Sequence, residues 1–134
     1  MMRGWVMNGN SCEKGRVAES IALEFLVERG LILLERNWRW RHKELDLIMK
    51  SHNSITGEQI LHVVEVRSLH EPFVQMPFES VDYKKRKALI MAANIYVRGR
   101  GINFETQFDI ISIVFSSAGV FKLEYFPNAF SPEW

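Results

Sequence analysis

Two acidic residues stand where carboxylates are costly. Asp46 lies in the apolar run Glu44-Leu45-Asp46-Leu47-Ile48, and Glu65 lies in Val64-Glu65-Val66-Arg67. Ionised carboxylates in such runs need a paired charge, hydrogen bonds or a metal ion. The stretch between them, residues 51–59 (SHNSITGEQ), is polar and suits a connection, so the two runs are expected to pair as a hairpin. A register centred between Ile55 and Thr56 sets Asp46 opposite Glu65. Opposed Cβ atoms lie about 5 Å apart, where like charges repel. A divalent cation turns that repulsion into binding, and hard oxygen ligands of this kind suit Mg²⁺ or Mn²⁺. The competing reading is a polar sheet face open to water.

Other residues could join such a site. Glu19 falls inside the apolar arc of a predicted helix, beside Ala22, Leu23 and Leu26, and so aims at whatever the helix packs on. It is either a buried acid paired with an arginine or a third site carboxylate. Lys85 aligns at helical spacing with Leu89, Ala92, Ala93 and Tyr96, which lays its stem along a packing face. It either snorkels to solvent or reaches the acids. Arg67 falls opposite Glu44 in the expected register, as a cross-strand ion pair or as support for phosphate charge. Its pKa makes it a poor general base.

Basic and aromatic residues alternate in Arg36-Asn37-Trp38-Arg39-Trp40-Arg41, which in an extended strand separates Trp38 and Trp40 from Arg39 and Arg41. The tryptophans then read as core. Arg39 and Arg41, with Lys84 and Lys87 of the run Lys84-Lys85-Arg86-Lys87, are candidate nucleic-acid contacts, as is the Arg98–Arg100 stretch. The four histidines show no metal-ligand spacing and read as surface or loop residues; no Ser/His/Asp arrangement is evident.

Positioning these groups requires a mixed sheet and two helices. Residues 13–29 predict a helix closed by Gly30, and residues 80–98 a second one capped by Ser80 and ended by Gly99 and Gly101. Strands are expected over 31–41, 44–50, 60–67, 108–115 and 120–126. Leu45, Leu47 and Met49 should share one face of theirs. Residues 68–79 read as loop, and the tail PNAFSPEW as irregular. Helix, three strands, helix and two strands imply an α/β architecture. Residues 1–11 read as a leader and 12–134 as one domain.

With 134 residues, 47% of them hydrophobic, the chain can fill a single core. A net charge of +1 confines any nucleic-acid surface to local patches. The only cysteine, Cys12, excludes an internal disulfide. No signal peptide is read at the N-terminus, and no apolar run reaches the roughly 20 residues that span a bilayer. A cytoplasmic location without membrane partners is expected.

From about Gly15 to Phe130 the chain resembles the YraN-like family of small bacterial proteins, also called uncharacterised protein family 0102. The resemblance rests on Gly15 with Glu19, Asn37 with Arg39, Glu44 to Ile48, Val64-Glu65-Val66, Lys85 before Ala92-Ala93, and Phe108-Asp109. That family is similar in fold to restriction endonucleases and archaeal Holliday-junction resolvases. The resemblance implies a restriction-endonuclease-like mixed sheet flanked by helices. It also implies a PD-(D/E)xK-type site in which Glu19, Asp46 and Glu65 hold Mg²⁺ or Mn²⁺ for phosphodiester hydrolysis of DNA, branched or damaged structures included. Three positions depart from the pattern: Arg67 replaces the lysine, Leu69 a later basic residue, and Lys43 a glycine. Lys85 could supply the missing amine. The alternatives are a catalytically impaired nucleic-acid-binding module and a structural adaptor.

Overall fold

Apolar residues at helical spacing fold Ser11–Glu28 into α1 and Tyr83–Arg100 into α2. The computed structural model describes residues 11–71 and 81–132. Of the expected leader, residues 1–10 lie outside the described residues, and Ser11 is already helical. Each helix ends in a Schellman turn around a left-handed glycine. At α1 the amides of Gly30 and Leu31 bond back to the carbonyls of Val27 and Leu26, with Gly30 at φ 93°. At α2 Gly101 and Ile102 do the same to Arg98 and Val97, with Gly101 at φ 64°. Gly99 is inside the helix. The cap of α2 is Asp82, whose carboxylate accepts the Lys85 amide at 2.9 Å. This corrects the expectation for Ser80, which lies outside the described residues: an extended Asp82 directly before the first helical residue reaches the third helical amide.

Five strands form one sheet in the order β1 (Ile32–Trp40), β2 (Lys43–His52), β3 (Gln59–His70), β4 (Glu105–Phe115) and β5 (Phe121–Phe130). Neighbouring pairs are antiparallel except β3–β4, which is parallel and connected through α2. β3 runs on through Ser68, Leu69 and His70 where a loop was expected. Residues 72–79 of that expected loop lie outside the described residues.

β5 likewise runs into the tail expected to be irregular. Two contacts hold it there: the Asn128 amide bonds to Asp109 at 2.9 Å, and Phe130 stacks on Phe108 with centroids 5.1 Å apart. Pro127 is tolerated because β5 is an edge strand.

Each sheet face has its own core. α1 packs Ala18, Ile21, Ala22 and Leu26 onto Leu47, Met49, Val64, Ile111, Ile113, Phe115 and Phe121. α2 packs Leu89, Ala92, Ala93 and Tyr96 onto Leu45, Ile48, Leu61, Val63, Phe108, Ile110 and Phe130. Trp38 joins the α2 core edge-to-face with Tyr96 at 5.2 Å. The result is an α/β fold of restriction-endonuclease-like type. Among the described residues no helix is long and apolar enough to cross a membrane.

Candidate metal centre

The β2–β3 register is the one the sequence predicts, from His52↔Gln59 to Leu47↔Val64. It stops one pair short of Asp46 and Glu65. Instead, Asp46 Oδ2 accepts the Val66 amide at 2.9 Å, so a side chain takes the place of a strand carbonyl. The β1–β2 ladder has a gap at the same level. Arg36↔Leu47 and Trp38↔Leu45 are paired, with Asn37 between them at φ 54°.

This left-handed residue shifts the alternation of β1. Arg36 and Asn37 both reach toward α1, while Trp38 enters the opposite core. In β2 the same shift sends Leu45 to the α2 core while Leu47 and Met49 stay on the α1 face. The expectation that all three share a face is thereby corrected. The distortion opens a fork between β2 and β3, and the acids gather there.

Glu19 comes from the α1 side. Its Oε1 accepts Asn37 Nδ2 at 2.9 Å and lies 3.8 Å from Arg36 Nε. Glu19, Glu44 and Asp46 each offer a carboxylate oxygen within 4.8 Å of the others, a spacing that one cation could satisfy. Partial burial pushes the Glu19 carboxyl up to about 7. Asp46 adds to the rise, Arg36 opposes it, and Glu44 adds again.

Glu65 comes from the α2 side and is buried. Burial, a hydrogen bond with Asp46 and the charge of Asp46 push its carboxyl well above the ordinary range; Lys85 and Arg67 pull only partly against them. Lys85 Nζ lies 3.3 Å from Glu65 Oε2, close enough for an ion pair. That oxygen still has no hydrogen-bond partner among the described residues. A buried carboxylate oxygen with an unused acceptor site beside a second acid suits a hard cation.

The site residues therefore fall in two overlapping groups that meet at Asp46. Glu19, Glu44 and Asp46 form one. Asp46, Glu65 and Lys85 form the other, with Arg67 near enough to act on Glu65 electrostatically. The ladder between β2 and β3 ends at Leu47↔Val64, so no backbone pair sets Arg67 opposite Glu44, whose carboxylate lies 3.2 Å from Arg39. Glu44 is the member the sequence reading missed; its place two residues before Asp46, on the same strand, was the available signal.

Of the candidate nucleic-acid contacts, Arg39 reaches the fork through Glu44, whereas Lys87 lies with Tyr83, Ala129 and Phe130 toward the β5 edge. Arg39 is largely exposed, and Arg41 rests on the Trp40 ring at 4.5 Å in the β1–β2 turn. Lys84 and Lys87 are exposed on the first turns of α2. Arg100 is taken up by Glu35 at 2.6 Å.

A second polar group is buried away from the fork. His62, expected at the surface, is 6% exposed, and Asp109 is fully buried. Asp109 accepts four hydrogen bonds, from His62, Tyr125, Gln107 and the Asn128 amide. Burial alone would push its carboxyl up, but these four donors outweigh it and hold the pKa below the ordinary value.

Comparison with known proteins adds a family. The model of a family described as "Uncharacterised protein family UPF0102" matches residues 18–113. A "UPF0102 protein" of Dictyoglomus turgidum is 39% identical over 123 residues, covering 90% of this chain and 99% of the relative. One from Parabacteroides distasonis is 36% identical over 88% of this chain and 92% of its own. One from Stutzerimonas stutzeri is 38% identical over 90% and 96%.

Proposed function

Because the chain belongs to the uncharacterised family UPF0102, its activity has to be argued from the site, and we propose a Mg²⁺- or Mn²⁺-dependent nuclease acting on DNA in the cytoplasm. One observation carries this reading. Glu65 Oε2 is buried without a hydrogen-bond partner among the described residues, beside Asp46 and at the edge of the Glu19–Glu44–Asp46 group. Glu19, Asp46 and Glu65 are the proposed metal ligands, with Glu44 as a further acid in reach. When bound, the ion would polarise a phosphoryl oxygen and make water a nucleophile near neutral pH.

The chain's own residues do the rest. Lys85, held at the start of α2 by the Asp82 cap, brings an ammonium to Glu65. It is the group proposed to stand in for the lysine that Arg67 replaces. Arg67 and Lys85 oppose the negative charge that a phosphodiester gains during attack. Arg39, Arg41, Lys84 and Lys87 are the proposed phosphate contacts on a chain with little net charge.

A second reading, a binding module with an impaired site, draws on Arg67 itself, since its guanidinium does not serve as a proton acceptor. The deciding assay incubates the protein with plasmid, single-stranded and four-way-junction DNA, in Mn²⁺ or EDTA, beside Glu65→Ala. Metal-dependent cleavage lost in Glu65→Ala supports the nuclease. Salt-sensitive binding with no cleavage supports the module. Cleavage shared equally by Glu65→Ala means contamination and sinks the nuclease reading. If Lys85→Ala cleaves as the unaltered protein does, the stand-in role of Lys85 is wrong.

A further inference from the structure

The buried histidine has a second partner. Ser51 Oγ lies 2.8 Å from His62 Nε2, while His62 Nδ1 lies 2.8 Å from Asp109 Oδ2. Ser51 is on β2, His62 on β3 and Asp109 on β4, so three neighbouring strands line up hydroxyl, imidazole and carboxylate. Ser51 is five residues along β2 from Asp46, roughly 16 Å at the rise of a strand. The group is separate from the acidic fork and shares no residue with it.

The hydrogen bonds fix the direction of the relay. Asp109 is an acceptor for each partner it has among the described residues: Gln107 Nε2 and the Asn128 amide on Oδ1, His62 Nδ1 and the Tyr125 hydroxyl on Oδ2. An ionised carboxylate in that setting requires the imidazole proton on Nδ1. A neutral His62 then presents the lone pair of Nε2 to the Ser51 hydroxyl. This is the arrangement in which an imidazole removes a serine proton while a buried carboxylate sets its tautomer. The relay is sealed at one end and open at the other. His62 and Asp109 are buried, whereas Ser51 is partly exposed, and the β1 ladder stops at Lys50 without covering it.

We propose that Ser51 is a nucleophilic serine that takes an acyl group from small activated esters, with His62 as its proton acceptor and Asp109 as the positioning residue. Ser51 Oγ bonds to the ester carbonyl carbon, its proton moves to His62 Nε2, and the carbonyl π pair moves onto oxygen. Return of that pair expels the alkoxide, which leaves as the alcohol with the proton from His62. Water then attacks the acyl-serine by the same transfers, releasing the acid and restoring the hydroxyl. No metal takes part.

The test uses the full chain in EDTA with a fluorophosphonate probe and p-nitrophenyl acetate. One probe per chain is expected on Ser51, mapped by peptide mass spectrometry, together with slow ester turnover. Ser51→Ala should lose the label and fall to the buffer rate. His62→Gln should slow labelling by about 10²-fold or more, the range of a lost general base. Should His62→Gln fail to fold, imidazole ¹⁵N shifts of the unaltered protein decide the relay: a proton on Nδ1 and a bare Nε2 support it. A folded protein that takes no label, equal labelling of Ser51→Ala, or a proton on Nε2 of neutral His62 would overturn the proposal and leave the group as a cross-strand tie.

Discussion

Replacing Glu19 by glutamine should make the metal-free protein more stable at slightly alkaline pH. The Glu19 carboxyl ionises in the folded chain only at about 7, against an ordinary value of 4.5. A pKa raised by folding contributes stability that is complete below the unfolded value and lost as pH rises through the folded one. At about 1.4 kcal/mol per pKa unit, the full loss would be roughly 3 kcal/mol. Glu19 keeps some contact with solvent, which screens part of this, so about 1–2 kcal/mol is expected at pH 8. Glutamine keeps an oxygen for Asn37 and cannot ionise. For a domain of this size the gain corresponds to a melting temperature about 3–8 °C above that of the unaltered protein at pH 8, shrinking to nothing near pH 4.5. Thermal melts in EDTA at half-unit steps from pH 4.5 to 8 give the comparison. Parallel curves for the two proteins would refute the argument, because Glu19 would then carry no strained charge.

Divalent metal should reverse the same trend. Carboxylates that hold protons must release them to bind a cation, so Mn²⁺ should raise the melting temperature more at pH 8 than at pH 6; EDTA should abolish the effect and Glu65→Gln should blunt it. A pH-independent shift would argue against binding at the fork. Asp109 predicts the opposite acid behaviour. Its pKa is lowered, so its contribution is present above the ordinary value of 3.8 and is lost as pH falls through the lower folded value. Asp109→Asn should cost about 3 kcal/mol in urea unfolding at pH 7 and less at pH 3. Equal losses at both would show that packing, not charge, is at stake.

The register of the β2–β3 hairpin was legible because a polar connection separates two alternating runs and leaves one centre of pairing. What happens at its end was not. Opposition of Asp46 and Glu65 assumes regular alternation, and the left-handed turn at Asn37 breaks it. Asparagine tolerates that conformation better than most residues, but it does so in many places where nothing is re-aimed. Glu19 was readable from the helical wheel because its neighbours are apolar. Lys85 was readable for the same reason, and the exposed charges around it follow the same wheel.

His62 shows a different failure. Its period-two position beside Val64 and Val66 marks a buried face, whereas the absence of metal-ligand spacing among the histidines pointed to the surface. Asp109 stands within Phe108-Asp109-Ile110-Ile111, an acid in an apolar run like the two that drew attention first. Its partners come from β3, β5 and its own strand, so their convergence appears only once the sheet has formed.

The acidic fork draws on both layers of the molecule. Glu19 arrives on the helix at the start of the chain, and Lys85 arrives on the crossover between the parallel strands, which is the slowest kind of connection to close. The two hairpin strands between them can zip locally and bring Asp46 near β3, but they leave Glu65 without its ammonium and Glu19 undocked. If the fork binds a cation as proposed, that affinity would be a late-appearing property of the folding chain. In a refolding experiment, a metal-sensitive signal from this fork would report the docking of both helices, after the hairpin had already formed.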